Sequence, residues 1–369
     1  MNKITFLLLH LGFGGIETAT INTINALVPY YDIDVISFYR LDNDQKNNLD
    51  KRVNVKYLYD EGPNKDAFKK ACKYFDIFNI IKEGIKAVNI LYLKKKLIKD
   101  TIKNIDEGFI VSTRLEFSQF LKYHKDGVIT IAQEHRHHRN EKGYIKKLSK
   151  LDVDYLFALT EELKLEYEKF LKNKNVKVLR VPNMITMPDK VSNLSDNLIT
   201  ICRLHPIKKV DEMIDIYSKM DTKCKLYIVG DGVEYTHLKK IITEKDLDGK
   251  VILTGYKTKM QMEKYILDSK VFLMTSISEG LPMVLLEAMS YGIPCIAYDA
   301  SGIKDIIEDG KNGYVIPSRD EALYIKKLND LINDDVKLKE FSKNAIKKAN
   351  EFTKENVVKI WMNILNNNE

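Results

Sequence analysis

At 369 residues, with 44% hydrophobic and 30% charged side chains, the chain is too long for one ordinary core and too apolar to be disordered. Its four cysteines (Cys72, Cys202, Cys224, Cys295) stand singly within apolar patterns, which excludes a disulfide framework or a CxxC zinc site and predicts reduced core thiols in a cytosolic protein. No apolar run approaches the ~20 residues that span a bilayer, and Ile4–Leu9 is too short for the apolar core of a signal peptide, so neither secretion nor a membrane span is expected.

The net charge of +7 is uneven: residues 1–183 hold 32 Lys and Arg against 24 Asp and Glu, while the remainder is close to balanced. Residues 62–103 alone hold eleven Lys against four acidic residues.

Taken in chain order, strand-like apolar runs fall near 4–10, 33–39, 53–59, 108–113, 128–133, 154–159 and 177–181. Helical patterns near 16–28, 66–102, 116–123, 141–149 and 161–172 alternate with them. Residues 182–193 contain two prolines and little periodicity and read as a linker. Strands then restart near 197–202, 225–229, 251–254, 271–275, 293–298 and 313–316. Helices near 208–220, 234–244, 258–268, 282–291 and 303–308 separate them, and two or three more close the chain. This alternation predicts an α/β protein of two Rossmann-like, doubly wound domains: 1–183, a linker over 184–196, 197–350, and a C-terminal helix over 351–369.

Residues 279–299 are the most informative. Glu279 precedes, and Glu287 lies inside, a helix that follows the apolar strand 271–275, with Pro282 suited to the first turn. A helix N-terminus there offers N–H groups and a positive dipole end to a phosphate, and the two carboxylates flank that seat where hydroxyl groups would lie. An amphipathic helix with a surface Glu at each end would also place two Glu eight apart. The block as a whole, with Gly280, Pro282, Ala288, Gly292 and Pro294 in step, resembles the E-x7-E region of retaining glycosyltransferases of family 4, which have the two-domain GT-B fold. The resemblance implies two domains facing each other across a cleft, with C-terminal helices returning toward the first. It also implies that Glu279 lies against a donor sugar, that Glu287 holds the nucleotide ribose, and that Gly280, Leu281 and Pro282 line the donor.

Arg203 and Lys208 follow the first strand of the second half, where α/β sheets bind ligands, and together suit a diphosphate. They match the R-L-x-x-x-K of the family, although Lys209 stands where many members have Gly. A solvated basic loop is the plainer alternative. Gly14 and Gly15 follow the first strand and permit close backbone approach to a phosphate or sugar, or simply a tight turn; they match a family Gly-Gly turn facing donor and acceptor. Glu134-His135-Arg136-His137-His138 ends the strand 128–133, and three His within four residues raise the question of a metal, but no accompanying ligand set is evident. The resemblance assigns His135 to the transferred sugar and leaves His137 and His138 to acceptor or solvent. Gly230, Gly255 and Tyr256 end two further strands, as base-contact candidates by resemblance or as structural turns.

The resemblance thus implies a metal-independent, retaining transferase. It would move a hexose or N-acetylhexosamine from a nucleotide sugar, by family habit UDP-linked, to a glycan, lipid-linked saccharide or wall polymer such as a capsule or teichoic acid. Acceptor attack would come from the face of the leaving diphosphate, with Arg203, Lys208 and the helix after Gly280 stabilising its charge. No resident cofactor is expected. A sugar-nucleotide epimerase on the same fold would need further acid/base carboxylates in the first domain. A non-catalytic partner subunit would be free to lose Arg203, Lys208, Glu279 and Glu287, yet all four are present. The Lys-rich stretch 62–103 carries apolar residues at helical spacing. It reads either as packed helices with a solvated Lys face or as a contact with an anionic membrane at the inner face of the cell. Nucleic acid is not expected, because no recognition motif accompanies the basic residues.

Overall fold

Runs of Val, Ile, Leu and Phe without polar alternation build two sheets whose strands are all parallel, each buried on both faces. The computed structural model describes residues 3–135, 142–171 and 175–366. It divides into unit 1 (1–159, 164–181 and 361–369) and unit 2 (160–163 and 182–360).

The first half of the chain runs β1 (Lys3–Leu8), α1 (Gly15–Leu27), β2 (Asp32–Tyr39), β3 (Asn54–Tyr59), α2 (Lys65–Lys73), α3 (Ile77–Lys103), β4 (Phe109–Ser112), α4 (Leu115–Ser118), β5 (Ile129–Glu134), α5 (Lys142–Leu148), β6 (Tyr155–Ala158), α6 (Glu161–Leu171) and β7 (Lys177–Arg180). Its sheet has the order β3-β2-β1-β4-β5-β6-β7. The second half runs β8 (Asn197–Ile201), α7 (Val210–Ser218), β9 (Lys225–Val229), α8 (Tyr235–Glu244), β10 (Val251–Gly255), α9 (Lys259–Leu267), β11 (Val271–Met274), α10 (Met283–Ser290), β12 (Cys295–Tyr298), β13 (Gly313–Ile316), α11 (Glu321–Ile332), α12 (Asp335–Asn350) and α13 (Lys354–Asn366). Its sheet has the order β10-β9-β8-β11-β12-β13. Both sheets reverse direction of growth beside their first strand, between β1 and β4 and between β8 and β11, and such switch points open a crevice at the strand ends.

Phe6, Phe38, Val111, Ile131 and Phe157 fill the core of unit 1. Leu226, Ile228, Leu273, Ile296, Tyr324 and Phe341 fill that of unit 2. Residues 361–366 of α13 group with unit 1, where the buried Trp361 ring lies 5.0 Å from Phe157 and 6.3 Å from Phe6.

Several local expectations are corrected. The helix expected over 66–102 breaks at 74–76, where Phe75 takes φ +52° and the chain turns from α2 into α3. No helix forms over 303–308: Gly302 and Gly310 take positive φ at its two ends. Asn312 closes the intervening turn, accepting from the Glu308 N–H and donating to Ile306 O. The strand expected from 293 starts at Cys295, because Pro294 has no N–H for the ladder. Cys224 and Cys295 are buried, but Cys72 is exposed on α2, against the expectation of a core thiol.

Truncating Trp361 removes the largest fully buried side chain from the unit 1 core. Trp361→Ala is expected to cost about 3–5 kcal/mol, read as a lower urea midpoint of the transition reported by unit 1.

Candidate active site

In unit 2 the charged residues sit on two loops that leave adjacent strands, β8 and β11. Lys208 Nζ donates to Glu279 Oε1 at 2.6 Å, and both side chains are largely shielded, at 23% and 12% exposure. This is a charge-assisted bond in a partly desolvated setting. Thr275, buried at the end of β11, donates its hydroxyl to Lys208 O (3.0 Å) and Lys209 O (2.7 Å), and Ile277 N donates to Ile207 O. The two loops are therefore stitched together by backbone as well as by the ion pair. Lys209 itself takes a left-handed conformation (φ +51°, ψ +46°), which costs an L-residue about 1–2 kcal/mol and a glycine nothing. A glycine at this position would have the same freedom, so the departure to Lys leaves the turn in place. Arg203 is exposed and takes no carboxylate among the described residues.

Pro282 stands one position earlier than expected, as the N-cap of α10 and not inside its first turn. No side chain caps this end, and Leu285 N bonds back to Pro282 O. Leu281 is buried, as are Leu285, Leu286 and Met289 of α10. That leaves Glu287 on the accessible side of the helix. Its outer edge reaches solvent, yet the surrounding protein raises its carboxyl above the ordinary value, against a smaller opposing pull from Lys259. Gly302 carries no motif that would single it out in the sequence. It takes φ +77°, and a Cβ on it would stand 2.2 Å from Gly280 O, so the turn after β12 presses on the bend that carries Glu279. The only local signal was the Ser301-Gly302 dipeptide, a common turn pair.

The remaining glycines divide by what lies beside them. A Cβ on Gly230 would stand 1.9 Å from Cys202 O, so this glycine admits the chain's own 202–204 segment and thereby seats Arg203. Gly255 takes φ +70° beside open space, and the neighbouring Tyr256 is 75% exposed, a ring face free for stacking.

In unit 1 a cavity of about 500 Å³ opens at the ends of β4 and β5, lined by Ile16, Arg114, Glu116, His135, Tyr144 and Lys147. Glu17, in the first turn of α1, is buried and receives Arg114 Nη2 at 2.5 Å. A Cβ on Gly14 would fall 2.3 Å from the Glu17 carboxylate, whereas one on Gly15 would meet nothing within 4 Å. Gly14 thus makes room for Glu17. His10 Nδ1 accepts from Gly12 N at 3.1 Å and stands 3.9 Å from Glu17; burial, followed by Arg114, lowers it against the raising effect of Glu17.

His135 has both ring nitrogens buried without a hydrogen-bond partner. Burial, reinforced by the Arg114 charge, pushes it down to about 4, so it is neutral at pH 7. Beside it Tyr144 donates to Glu134 Oε2 at 2.9 Å, and burial drives the phenol well above its ordinary range. Glu17, Arg114 and Tyr144 had no local sequence signature, although Arg114 directly follows a strand end. His137 and His138 lie outside the described residues. Among the described residues, no three His, Cys, Asp or Glu stand together as metal ligands.

Two outcomes follow from this geometry. Gly302→Ala joins a left-handed strain to a backbone clash and is expected to destabilise unit 2 by about 1–3 kcal/mol. Gly310→Ala, strained but facing open space, is expected to lose about 1 kcal/mol, and thermal unfolding separates the two. His135 is harder to protonate folded than unfolded, so its contribution is whole above its ordinary value of 6.5 and is lost as pH falls toward about 4. The difference in unfolding free energy between wild type and His135→Gln is expected to change across that window and to be flat above pH 7.

Residues 190–348 match the family model described as glycosyl transferases group 1. The chain is 28% identical, over 97% of its length, to an exopolysaccharide phosphotransferase of Streptomyces coelicolor, and spans 40% of that protein. It is 29% identical, over 75% of its length, to a poly(ribitol-phosphate) alpha-N-acetylglucosaminyltransferase of Staphylococcus aureus and spans 58% of it. A third relative, matched at 27% over 99% of this chain and 98% of its own length, is a Campylobacter jejuni alpha-1,4-N-acetyl-D-galactosaminyltransferase named for an undecaprenol-diphosphate-linked saccharide. Among solved structures, the lipopolysaccharide outer core galactosyltransferase WaaB superposes with a TM-score of 0.76 at 21% identity, covering all of both chains. TarM of S. aureus, in complex with fondaparinux, alpha-GlcNAc-glycerol and UDP, gives 0.73 at 18%, covering 99% of this chain and 100% of that one. These last two likenesses speak to the fold. The family match covers less than half of the chain; with the named transferases it supports a glycosyltransferase, and WaaB and TarM share its fold of two parallel-sheet units.

Proposed function

We propose that this chain transfers a hexose or N-acetylhexosamine, with retention and without a metal, from a UDP-sugar to a glycan, lipid-linked saccharide or wall-polymer acceptor in the cytoplasm. The observation that carries the reading is the 2.6 Å contact between Lys208 and Glu279, beside the uncapped start of α10. Without a donor, the two charges satisfy one another. A diphosphate would give Lys208 a stronger anion, share it with Arg203 and the α10 N–H groups, and release the Glu279 carboxylate to accept from sugar hydroxyls. As the bond from the anomeric carbon to the diphosphate breaks, charge grows on the leaving oxygen, and these fixed donors are aimed at it. Side-chain cations and a helix end supply the charge that a metal would otherwise bring. The acceptor oxygen bonds to the same carbon from the face the diphosphate leaves, and its proton departs toward that diphosphate.

Glu287, kept partly desolvated, suits the ribose hydroxyls, and Tyr256 suits the base by stacking. In unit 1 the neutral His135 has two unsatisfied nitrogens, which suits a hydroxyl partner and not an anion. TarM was solved in complex with UDP, and the S. aureus and C. jejuni relatives are named for poly(ribitol-phosphate) and for an undecaprenol-diphosphate-linked saccharide; these support the donor and acceptor classes.

The test is UDP release from a panel of UDP- and GDP-sugars, without acceptor and then with a lipid-linked saccharide extract. One donor is expected to be hydrolysed slowly and to turn over faster with the extract. Lys208→Ala is expected to weaken UDP binding about 10–100-fold, the worth of one charge-assisted bond. Glu279→Gln is expected to keep UDP binding and lose at least about 100-fold in transfer. Normal transfer by Glu279→Gln would remove the sugar-side role, and no nucleotide binding by the wild type would remove the enzyme reading.

A further inference from the structure

The α2–α3 hairpin of unit 1 carries a surface that neither the fold nor the site uses. On α3, Phe78, Ile81, Ile85, Val88 and Tyr92 recur every three or four residues and so lie along one side of the helix. All are exposed, Phe78 at 77% and Val88 at 69%. The helix packs through a different side, where Ile90, Ile98 and Ile102 are buried. At the corner, Phe75 adopts φ +52°, a costly conformation for a bulky residue, and is then left 85% exposed. Its ring therefore returns no burial to offset that cost. Scattered surface apolar residues need no explanation, but a continuous row on a 27-residue helix does.

The charge around the row identifies its partner. Residues 62–103 carry eleven Lys against four acidic residues, an excess equal to the net +7 of the whole chain. Lys86 and Lys94 pair with Glu61 and Glu116. Lys95 and Lys96 remain exposed at the far end of the row, and Lys69 and Lys70 on α2. No described helix is long and apolar enough to cross a membrane, so such a helix lies along a surface. We propose that the α2–α3 hairpin docks on an anionic lipid bilayer, with Phe75, Phe78, Ile81, Ile85 and Val88 entering the acyl boundary and the flanking lysines meeting lipid phosphates. A second protein copy would bring the same positive charge and repel, which is why the lipid surface is favoured. This inference stands apart from the donor reading, because binding is measured with no sugar nucleotide present.

The experiment is co-sedimentation of the full chain with vesicles of phosphatidylglycerol and phosphatidylcholine, against vesicles of phosphatidylcholine alone. Binding is expected only to the anionic vesicles and is expected to fall as salt rises. Replacing Lys95 and Lys96 by Gln is expected to lower binding on the order of tenfold, and Phe78→Ser with Val88→Ser at least about tenfold. Both variants are expected to keep the wild-type circular dichroism spectrum, because the replaced side chains face solvent. Failure to bind anionic vesicles, or equal binding by the Phe78→Ser, Val88→Ser variant, would overturn the proposal. Self-association in sedimentation equilibrium that this variant abolishes would reassign the face to a second copy and likewise overturn it.

Discussion

Parallel pairing is the constraint on which everything else rests. A parallel strand must be followed by a crossover, so every strand of a sheet ends at the same edge. Loops that are remote in sequence are thereby gathered at one rim. In unit 2 this brings the loop after β8, with Arg203 and Lys208, beside the loop after β11, with Glu279. In unit 1 it brings the start of α1, the end of β4 and the end of β5 around one cavity. The reversal of strand order beside β1 and beside β8 keeps each rim open where the helices diverge to opposite faces.

A rim assembled this way has to hold charge in partly dry surroundings, and both units do so by pairing. Glu17 with Arg114 and Lys208 with Glu279 each set a carboxylate against a cation at 2.5–2.6 Å. Pairs of this kind return little net stability, because desolvation offsets most of the attraction. Their value lies in fixing where the groups stand. The supporting contacts agree with that: Thr275 clamps two carbonyls of the Lys208 loop, and Gly302 and Gly14 leave room for the Glu279 bend and the Glu17 carboxylate. His135 is the opposite case. Held neutral and without a partner for either nitrogen, it is a cost the fold carries at the rim, as functional residues often are.

The sequence made the strands legible because burial on both faces writes them as unbroken apolar runs, and most observed boundaries lie within a residue or two of the runs. The same rule explains the failures. The break at Phe75 is a left-handed residue with no glycine to mark it, and the turn over 303–308 depends on the side chain of Asn312, not on periodicity. Arg203, Lys208 and Glu279 stood out in the sequence because each follows a strand, and Glu287 because it lies in the helix of the same block. Arg114 and Glu17 did not, since their meaning is a contact between residues 97 apart. Thr275 and Gly302 were missed for the same reason: one holds a loop from a neighbouring strand, and the other yields space to a backbone it never precedes.

The hairpin of α2 and α3 shows the same logic in reverse. Its amphipathic spacing was plain in the sequence, but spacing alone does not say which of two apolar sides a helix buries. The structure separates them: Ile90, Ile98 and Ile102 go inward, while the row from Phe78 to Tyr92 stays in water. Covering that row inside the protein would have been the simplest way to stabilise unit 1. The lipid surface proposed above would cover that row from outside and meet the positive charge placed around it. The rim and the hairpin share one design, in which a parallel sheet gathers loops at its strand ends while the crossover between two strands is free to vary.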